Sequence, residues 1–114
     1  MAITGKGKAA ARAAQLFLSQ IDAIVHRRGQ AASPLQVLAD IYRPVGERIA
    51  TALEASDEQL LEQALLPLPG TDREYDMIGL APSRFPEFLM ARENLLTHLV
   101  AFYKEINGRR FGET

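Results

Sequence analysis

The sequence contains no cysteine and no tryptophan, and only two of its 114 residues are histidine. The absence of cysteine excludes disulfides, thiol catalysis and thiolate metal sites, and it suits a reducing compartment, so we expect a cytoplasmic protein. No apolar run approaches the roughly 18 residues that cross a bilayer, and the N-terminal stretch lacks the continuous apolar region of a signal peptide. We therefore expect neither secretion nor a membrane partner.

Motifs of common cofactor sites are also missing, since GxxxxGK[ST], GxGxxG and HExxH do not occur in the chain. Asp22 precedes His26 by four residues, so the two meet on one helical face, as half of a catalytic triad would. An ordinary surface pair near a helix end is the favoured interpretation, and His98 is expected at the edge of the core. The sequence predicts no catalytic residues, no metal, no cofactor and no small-molecule ligand.

Hydrophobic residues make up 47% of the chain and charged residues 24%, values typical of one globular domain of this length. The charges are unevenly distributed, with a net charge of +4 over residues 1–30 and −6 over residues 31–82. Such a split suits either the binding of an anion or mutual neutralisation within one fold. The second interpretation is favoured because it needs no partner.

Apolar residues at steps of three and four predict a first helix from about Lys8 to Arg28, ended by Gly29. The small and polar residues before it predict a flexible N-terminal arm over residues 1–7. A single helical domain is then expected over residues 8–114.

A second helix is predicted to begin at Ser33, a capping residue that is followed by Pro34 and Gln36. Its predicted packing face is formed by Leu38, Ile41, Tyr42, Val45, Ile49, Ala52 and Leu53, and this spacing continues across Pro44. Proline has no N–H to donate and should kink or break the helix near Arg43. A break would produce two short helices arranged as a helix-turn-helix. The uninterrupted apolar phase favours one kinked helix.

Two shorter features separate the second helix from the last one. Ser56 and Gln59 have the spacing of a capping box and predict a short third helix. Residues 67–82, rich in proline and glycine, form the one long irregular connection. Within it, Thr71 and Glu74 predict one capped turn.

The last helix is predicted to begin at Ser83 and to end at Asn107 and Gly108. Its apolar residues recur over three heptads, and the resulting stripe is wide enough to face two neighbours. Arg92 interrupts this stripe and needs a partner, because an unpaired charge there is costly. The candidate partners are Asp40, Glu47 or Glu54 of the same chain, or a carboxylate of a second subunit. Alternatively the side chain extends to the surface and leaves only its methylene groups in the stripe. A partner in the same chain or extension to the surface is favoured over a subunit contact.

These elements predict an all-α fold, a small helical bundle of four main helices. The long first and last helices form its frame, the second packs across them and the short third helix closes one end. Small helical domains without catalytic residues are more often adaptors, regulators or subunits than enzymes.

Surplus apolar surface on the last helix and in the loop before it predicts a protein-interaction module, because large exposed apolar patches mark interfaces. Self-association is the favoured form of this interaction, and another protein partner is the alternative. The residues expected to form this surface are Tyr75, Met77, Ile78, Leu80, Phe85, Arg92 and Phe111.

The alternative is a nucleic-acid-binding accessory protein that uses its basic N-terminal segment to contact phosphates. The residues expected to make those contacts are Lys6, Lys8, Arg12, Arg27 and Arg28. In this alternative the part of the second helix after Pro44 would contact the bases. Acidic residues surround it, namely Glu47, Glu54, Asp57 and Glu58, and they would be repelled by phosphates. A packing role for this helix is therefore the favoured interpretation.

Overall fold

Residues 2–110 are described in the computed structural model of this protein, and all the regular structure within them is helical. The chain forms α1 (Gly5–Arg28), α2 (Ser33–Ala55), α3 (Glu58–Leu65), α4 (Asp72–Met77) and α5 (Pro86–Arg110). Short 3-10 turns at Gly29–Ala32 and Pro82–Arg84 precede α2 and α5. The predicted all-α fold with four main helices is confirmed, and α4, six residues long, adds to it.

Helix α1 begins at Gly5, earlier than predicted. Thr4 caps it, since its Oγ1 accepts the N–H of Gly7 at 3.3 Å and donates to Oε2 of Glu105 on α5 at 2.8 Å. The expected flexible arm over residues 1–7 is therefore wrong for its last three residues, which form the first turn of a helix. A cap and a long-range contact to α5 hold the chain there.

Helix α2 runs without interruption through Pro44. Proline cannot donate to the carbonyl four residues earlier, that of Asp40, and both residues lie on the exposed side of the helix. Water can therefore solvate the carbonyl that loses its helical partner. The alternative of a broken helix is wrong, and residues 35–53 do not form a helix-turn-helix.

The serines predicted as N-caps take other roles. Ser33 lies in the first turn of α2, and its Oγ donates to the carbonyl of Gln30 at 2.6 Å. Ser56 is the left-handed C-cap of α2, with φ 51° and ψ 42°. Asp57 caps α3 instead, because its carboxylate accepts two backbone N–H groups at 3.0 and 3.2 Å.

Helix α5 differs from its prediction at both ends. Ser83 lies in the preceding 3-10 turn, and the helix begins at Pro86. At the other end the helix continues past Asn107 and Gly108 to Arg110. Ion pairs from its last two residues to α3 stabilise this extra turn.

The two longest helices, α1 and α5, lie antiparallel. The start of α1 meets the end of α5 at Thr4 and Glu105, and its end meets the start of α5 at Arg28 and Phe85. They form the predicted frame, on which α2 and α3 pack. Over the described residues, no helix has both the length and the apolar character of a membrane-crossing segment.

Aromatic rings from four helices meet in the core. The ring of Phe17 on α1 lies 5.7 Å from Phe88 on α5 and 6.5 Å from Tyr42 on α2. Tyr75 on α4 meets Phe88 edge-on at 5.5 Å. The segment between α3 and α5 is therefore anchored in the core and does not lie loosely on the surface.

Candidate interaction surface

Much of the interaction surface expected from the sequence is buried. Tyr75, Leu80 and Phe85 belong to the core, so their assignment to an exposed surface is wrong. Tyr75 packs against Phe88, and the guanidinium of Arg28 covers the ring of Phe85 at 5.1 Å. Contacts from other helices, which sequence spacing does not reveal, account for this burial.

The wide apolar stripe of α5 is also covered within the single chain. Its buried members are Phe88, Leu95, Leu99, Phe102 and Ile106. The expectation that this helix presents surplus apolar surface is therefore wrong for these residues, because α1 occupies that side of α5. Phe111, the last residue of the predicted surface, lies outside the described residues.

Arg92 finds its partners within the chain. Its guanidinium pairs with Asp72 at 3.4 Å, donates to the carbonyl of Gly70 at 3.4 Å and lies 5.2 Å from the ring centroid of Tyr75. The predicted need for a partner is confirmed, but the acidic residues named for it on α2 are not the ones used. With three partners inside one chain, Arg92 needs no second subunit.

Accessible apolar residues instead meet at a groove between α2 and α4, which we call the α2–α4 groove. Its volume is about 370 Å³. The α2 wall is formed by Leu38, Ile41 and Tyr42, and the remaining lining residues are Pro67, Glu74, Tyr75, Met77 and Ile78. Met77 is 80% exposed and Ile41 is 54% exposed, so each wall contributes one large accessible apolar side chain.

Glu74 is held at the edge of this groove by a capping box. Its Oε2 accepts the N–H of Thr71 at 2.9 Å, and the Thr71 hydroxyl accepts the N–H of Glu74 at 3.3 Å. The capped turn predicted from these two residues is confirmed. The box fixes the direction of α4 and therefore the position of Met77 relative to α2.

The two tyrosines of the groove remain neutral at physiological pH. Burial raises the pKa of the Tyr42 hydroxyl, and the nearby Glu74 carboxylate raises it further. Burial, assisted by Tyr42, raises the pKa of Tyr75 to about 12. Glu74 is therefore the one formal charge in the lining of the groove.

Sequence reasoning missed the α2 side of this surface. The apolar spacing placed Ile41 and Tyr42 together on the packing face, but only Tyr42 is buried. A usable signal was present in the sequence, since Val37 and Ile41 are both apolar and one helical turn apart. Their spacing extends the apolar face of α2 beyond what one neighbour can cover.

A second cavity, about 480 Å³ in volume, lies where α3 meets the end of α5 and is lined mainly by charged residues. Arg109 pairs with Glu58 at 2.8 Å, and Arg110 pairs with Glu62 at 2.6 Å. The carboxylate side chain of Glu58 is only 9% exposed. These paired charges join two helices, which gives the cluster a structural role.

The basic residues named for nucleic-acid binding divide into two groups at opposite ends of α1. Lys6, Lys8 and Arg12 are exposed near its start. Arg27 and Arg28 lie at its end, where both pair with Glu87, at 3.5 and 3.6 Å. The structure does not bring the five residues together into one patch.

The two histidines stand apart from any metal-binding arrangement. His26 and Asp22 are both exposed on α1, and His98 is half-buried on α5. Within residues 2–110, no three His, Asp or Glu side chains are grouped as a metal site requires.

Comparisons with protein-family models, curated proteins and solved structures found no match to this chain. The chain itself combines an antiparallel helical frame, a capped short helix and an accessible apolar groove between α2 and α4.

Proposed function

We propose that this protein is a protein-interaction module, an adaptor, regulator or small subunit without catalytic activity, and that it binds a protein partner through the α2–α4 groove. The main support is the exposure of Ile41 and Met77 on the two walls of one apolar cavity. Isolated exposed apolar residues are normal on a protein surface, whereas Ile41 and Met77 line one concave site in which a partner side chain can contact both. The cytoplasmic location expected from the sequence stays a prediction.

Both walls of the groove are built before a partner arrives. Tyr42 anchors the α2 wall in the aromatic core, and Tyr75 anchors the α4 wall beside Arg92. A surface with little freedom to lose on binding retains more of its contact energy as affinity. This arrangement suits a docking site better than a mobile loop would.

The experiment compares two methionines of similar exposure. Met77 lines the groove and is 80% exposed, whereas Met90 on α5 is 74% exposed and does not line it. The experiment captures partners from a lysate of the native host with three tagged proteins: the wild type, Met77→Glu and Met90→Glu. Circular dichroism verifies that each variant is folded. We expect a protein retained by the wild type and by Met90→Glu to be lost from Met77→Glu.

Equal capture by the two folded variants would contradict the proposal, because it would place the contact away from the groove. Sedimentation of the purified protein addresses self-association separately. The apolar stripe of α5 gives no support to self-association, because its large residues are buried within the single chain.

A nucleic-acid-binding role is the second candidate, and the exposure of Lys6, Lys8 and Arg12 along one end of α1 favours it. Deleting residues 1–12 would also remove buried Ala10 and Ala11, so charge removal is the cleaner test. A triple substitution of the three basic residues by glutamine should abolish salt-sensitive binding to duplex or single-stranded nucleic acid. Wild-type protein that shifts neither kind at low salt would eliminate this candidate.

A further inference from the structure

The α2–α4 groove has one charge in an otherwise uncharged lining, the carboxylate of Glu74. One of its oxygens, Oε2, accepts the N–H of Thr71 in the capping box. A carboxylate has about four acceptor positions, so this single bond leaves capacity for a cationic donor from outside. A partner that covered Glu74 with apolar atoms alone would strip its water without replacing it, which is costly.

The surroundings of the groove add to the negative charge. On α2, exposed Asp40 precedes Ile41 and pairs with Arg43 at 3.3 Å, which neutralises it. On α4, exposed Asp76 precedes Met77, and Arg73 is the one basic residue of that helix. Since Asp72 is paired with Arg92, α4 retains two acidic residues against one basic residue. The charge left over at the groove is negative.

Resting on the proposed function, we infer that the occupant of the α2–α4 groove is an amphipathic helix of another protein, with large apolar side chains against Ile41 and Met77 and a lysine or arginine against Glu74. On α2, Ile41 in the groove lining and Val37 outside that lining present accessible side chains one helical turn apart. This is the row spacing with which a facing helix interleaves. The cation supplies the donor that the covered carboxylate needs, and an acidic partner is repelled.

A second copy of this chain fits the groove less well. Two exposed pairs of a second copy combine an apolar and a basic residue one turn apart, Leu16 with Arg12 on α1 and Val100 with Lys104 on α5. Each pair provides one apolar anchor, whereas the groove has an accessible apolar side chain on each of its two walls.

The test uses two labelled synthetic peptides with the same leucine-faced helical sequence, one flanked by lysines and the other by glutamates at the same positions. Their affinities are measured by fluorescence anisotropy for wild type, Glu74→Gln, Met77→Glu and Met90→Glu. Glutamine at this position still supports a capping box, so Glu74→Gln removes the charge and keeps the turn. Circular dichroism verifies that each variant is folded.

We expect the lysine peptide to bind wild type at least about tenfold more tightly than the glutamate peptide, which corresponds to about 1.4 kcal/mol. In Glu74→Gln the preference should fall to about threefold or less, a loss of roughly 0.7 kcal/mol. Met77→Glu should weaken the glutamate peptide by at least about tenfold and the lysine peptide by a smaller factor, because the lost apolar contact is partly offset by attraction to the new carboxylate. Met90→Glu should bind both peptides like wild type.

Equal affinity for the two peptides, a preference that survives Glu74→Gln, or no binding of either peptide would overturn the inference about the partner. The proposed function would stand in those cases if host capture still depended on Met77. If Met77→Glu and Met90→Glu behave alike in both assays, the groove is not the docking surface and both proposals fail. Sedimentation showing a dimer of this chain that Met77→Glu abolishes would overturn the inference in favour of a second copy.

Discussion

The guanidinium of Arg92 lies over the ring of Tyr75, with its Cζ 5.2 Å from the ring centroid, and joins α5 to α4. The same group bonds to the carbonyl of Gly70 and pairs with Asp72. A charge placed within the apolar stripe of one helix thus organises the segment that forms one wall of the α2–α4 groove. Loss of the Arg92 charge should therefore alter the position of the α4 wall and also lower the stability of the protein.

Replacing Arg92 by leucine should lower the free energy of unfolding by about 1–2 kcal/mol, because the cation–π contact and the bond to Gly70 are lost together. Asp72→Asn is the matched variant. Its side chain is 83% exposed, so we expect a change below about 1 kcal/mol. Urea unfolding followed by circular dichroism measures the stability of the two variants. Equal losses of stability would show that the ion pair between Arg92 and Asp72 dominates the contribution of Arg92.

Stability should fall as the pH rises above about 10, where tyrosine in the unfolded chain loses its proton. Tyr75 in the folded protein keeps its proton until its pKa of about 12. Between these values the folded state binds more protons than the unfolded state, so each rise in pH favours unfolding. The stabilising contribution is fully present below pH 10.

Tyr75→Phe keeps the ring and removes the titrating proton. Between pH 9 and 11, this variant should lose about 1 kcal/mol less stability than wild type. Urea unfolding at the two pH values measures the difference, and phenolate absorbance of the native protein reports the titration directly. Identical slopes for the two proteins would contradict the assignment of a raised pKa to Tyr75.

Two glycines should respond in opposite directions to alanine. A Cβ at Gly7 would lie 2.8 Å from Cγ2 of Ile3 and 3.0 Å from Cε1 of Phe102, whereas at Gly108 it would meet nothing within 4 Å. We expect Gly7→Ala to lower the free energy of unfolding by about 1 kcal/mol through overpacking. Gly108→Ala should raise it by up to about 1 kcal/mol because alanine favours the helix.

Thermal or urea unfolding of these two variants, each compared with wild type, provides the measurement. If Gly7→Ala stabilised the protein, this prediction would be contradicted. The start of α1 would then be able to shift away from α5 at little cost in free energy.

The ion pairs between α3 and α5 should differ in strength according to burial. Glu58→Gln should cost about 1–2 kcal/mol, because its carboxylate is 9% exposed and its partner Arg109 is 24% exposed. Glu62→Gln should cost less than about 1 kcal/mol, because Arg110 is 55% exposed. Urea unfolding at low and high salt measures both, and a larger loss from Glu62→Gln would reverse this order.

Local rules predicted some details correctly and failed at others for an identifiable reason. The Thr71 and Glu74 box is confirmed because both of its bonds lie within four residues of chain. The caps predicted at Ser33 and Ser56 are wrong, since Asp57 offered a stronger acceptor one position later and Ser33 bonded backward to Gln30. Competing neighbours, which a single motif does not weigh, decide such cases.

The candidate site was the least predictable part. Tyr75 and Met77 are two residues apart and were assigned to the same surface, yet one is fully buried and the other mostly exposed. That division depends on where Phe88 and Arg92 lie, and both belong to a different helix. Ile41 was assigned to a packing face and lies at an accessible edge for the same kind of reason.

The sequence by itself determined that this chain is all-α, where its main helices lie and that Arg92 needs a partner. Those properties follow from apolar spacing, capping chemistry and the cost of a buried charge, which act over a few residues. Only the tertiary structure decided which apolar residues are covered and which meet at the α2–α4 groove. Burial depends on contacts between residues far apart in sequence, and no local pattern records which helix will cover a given face.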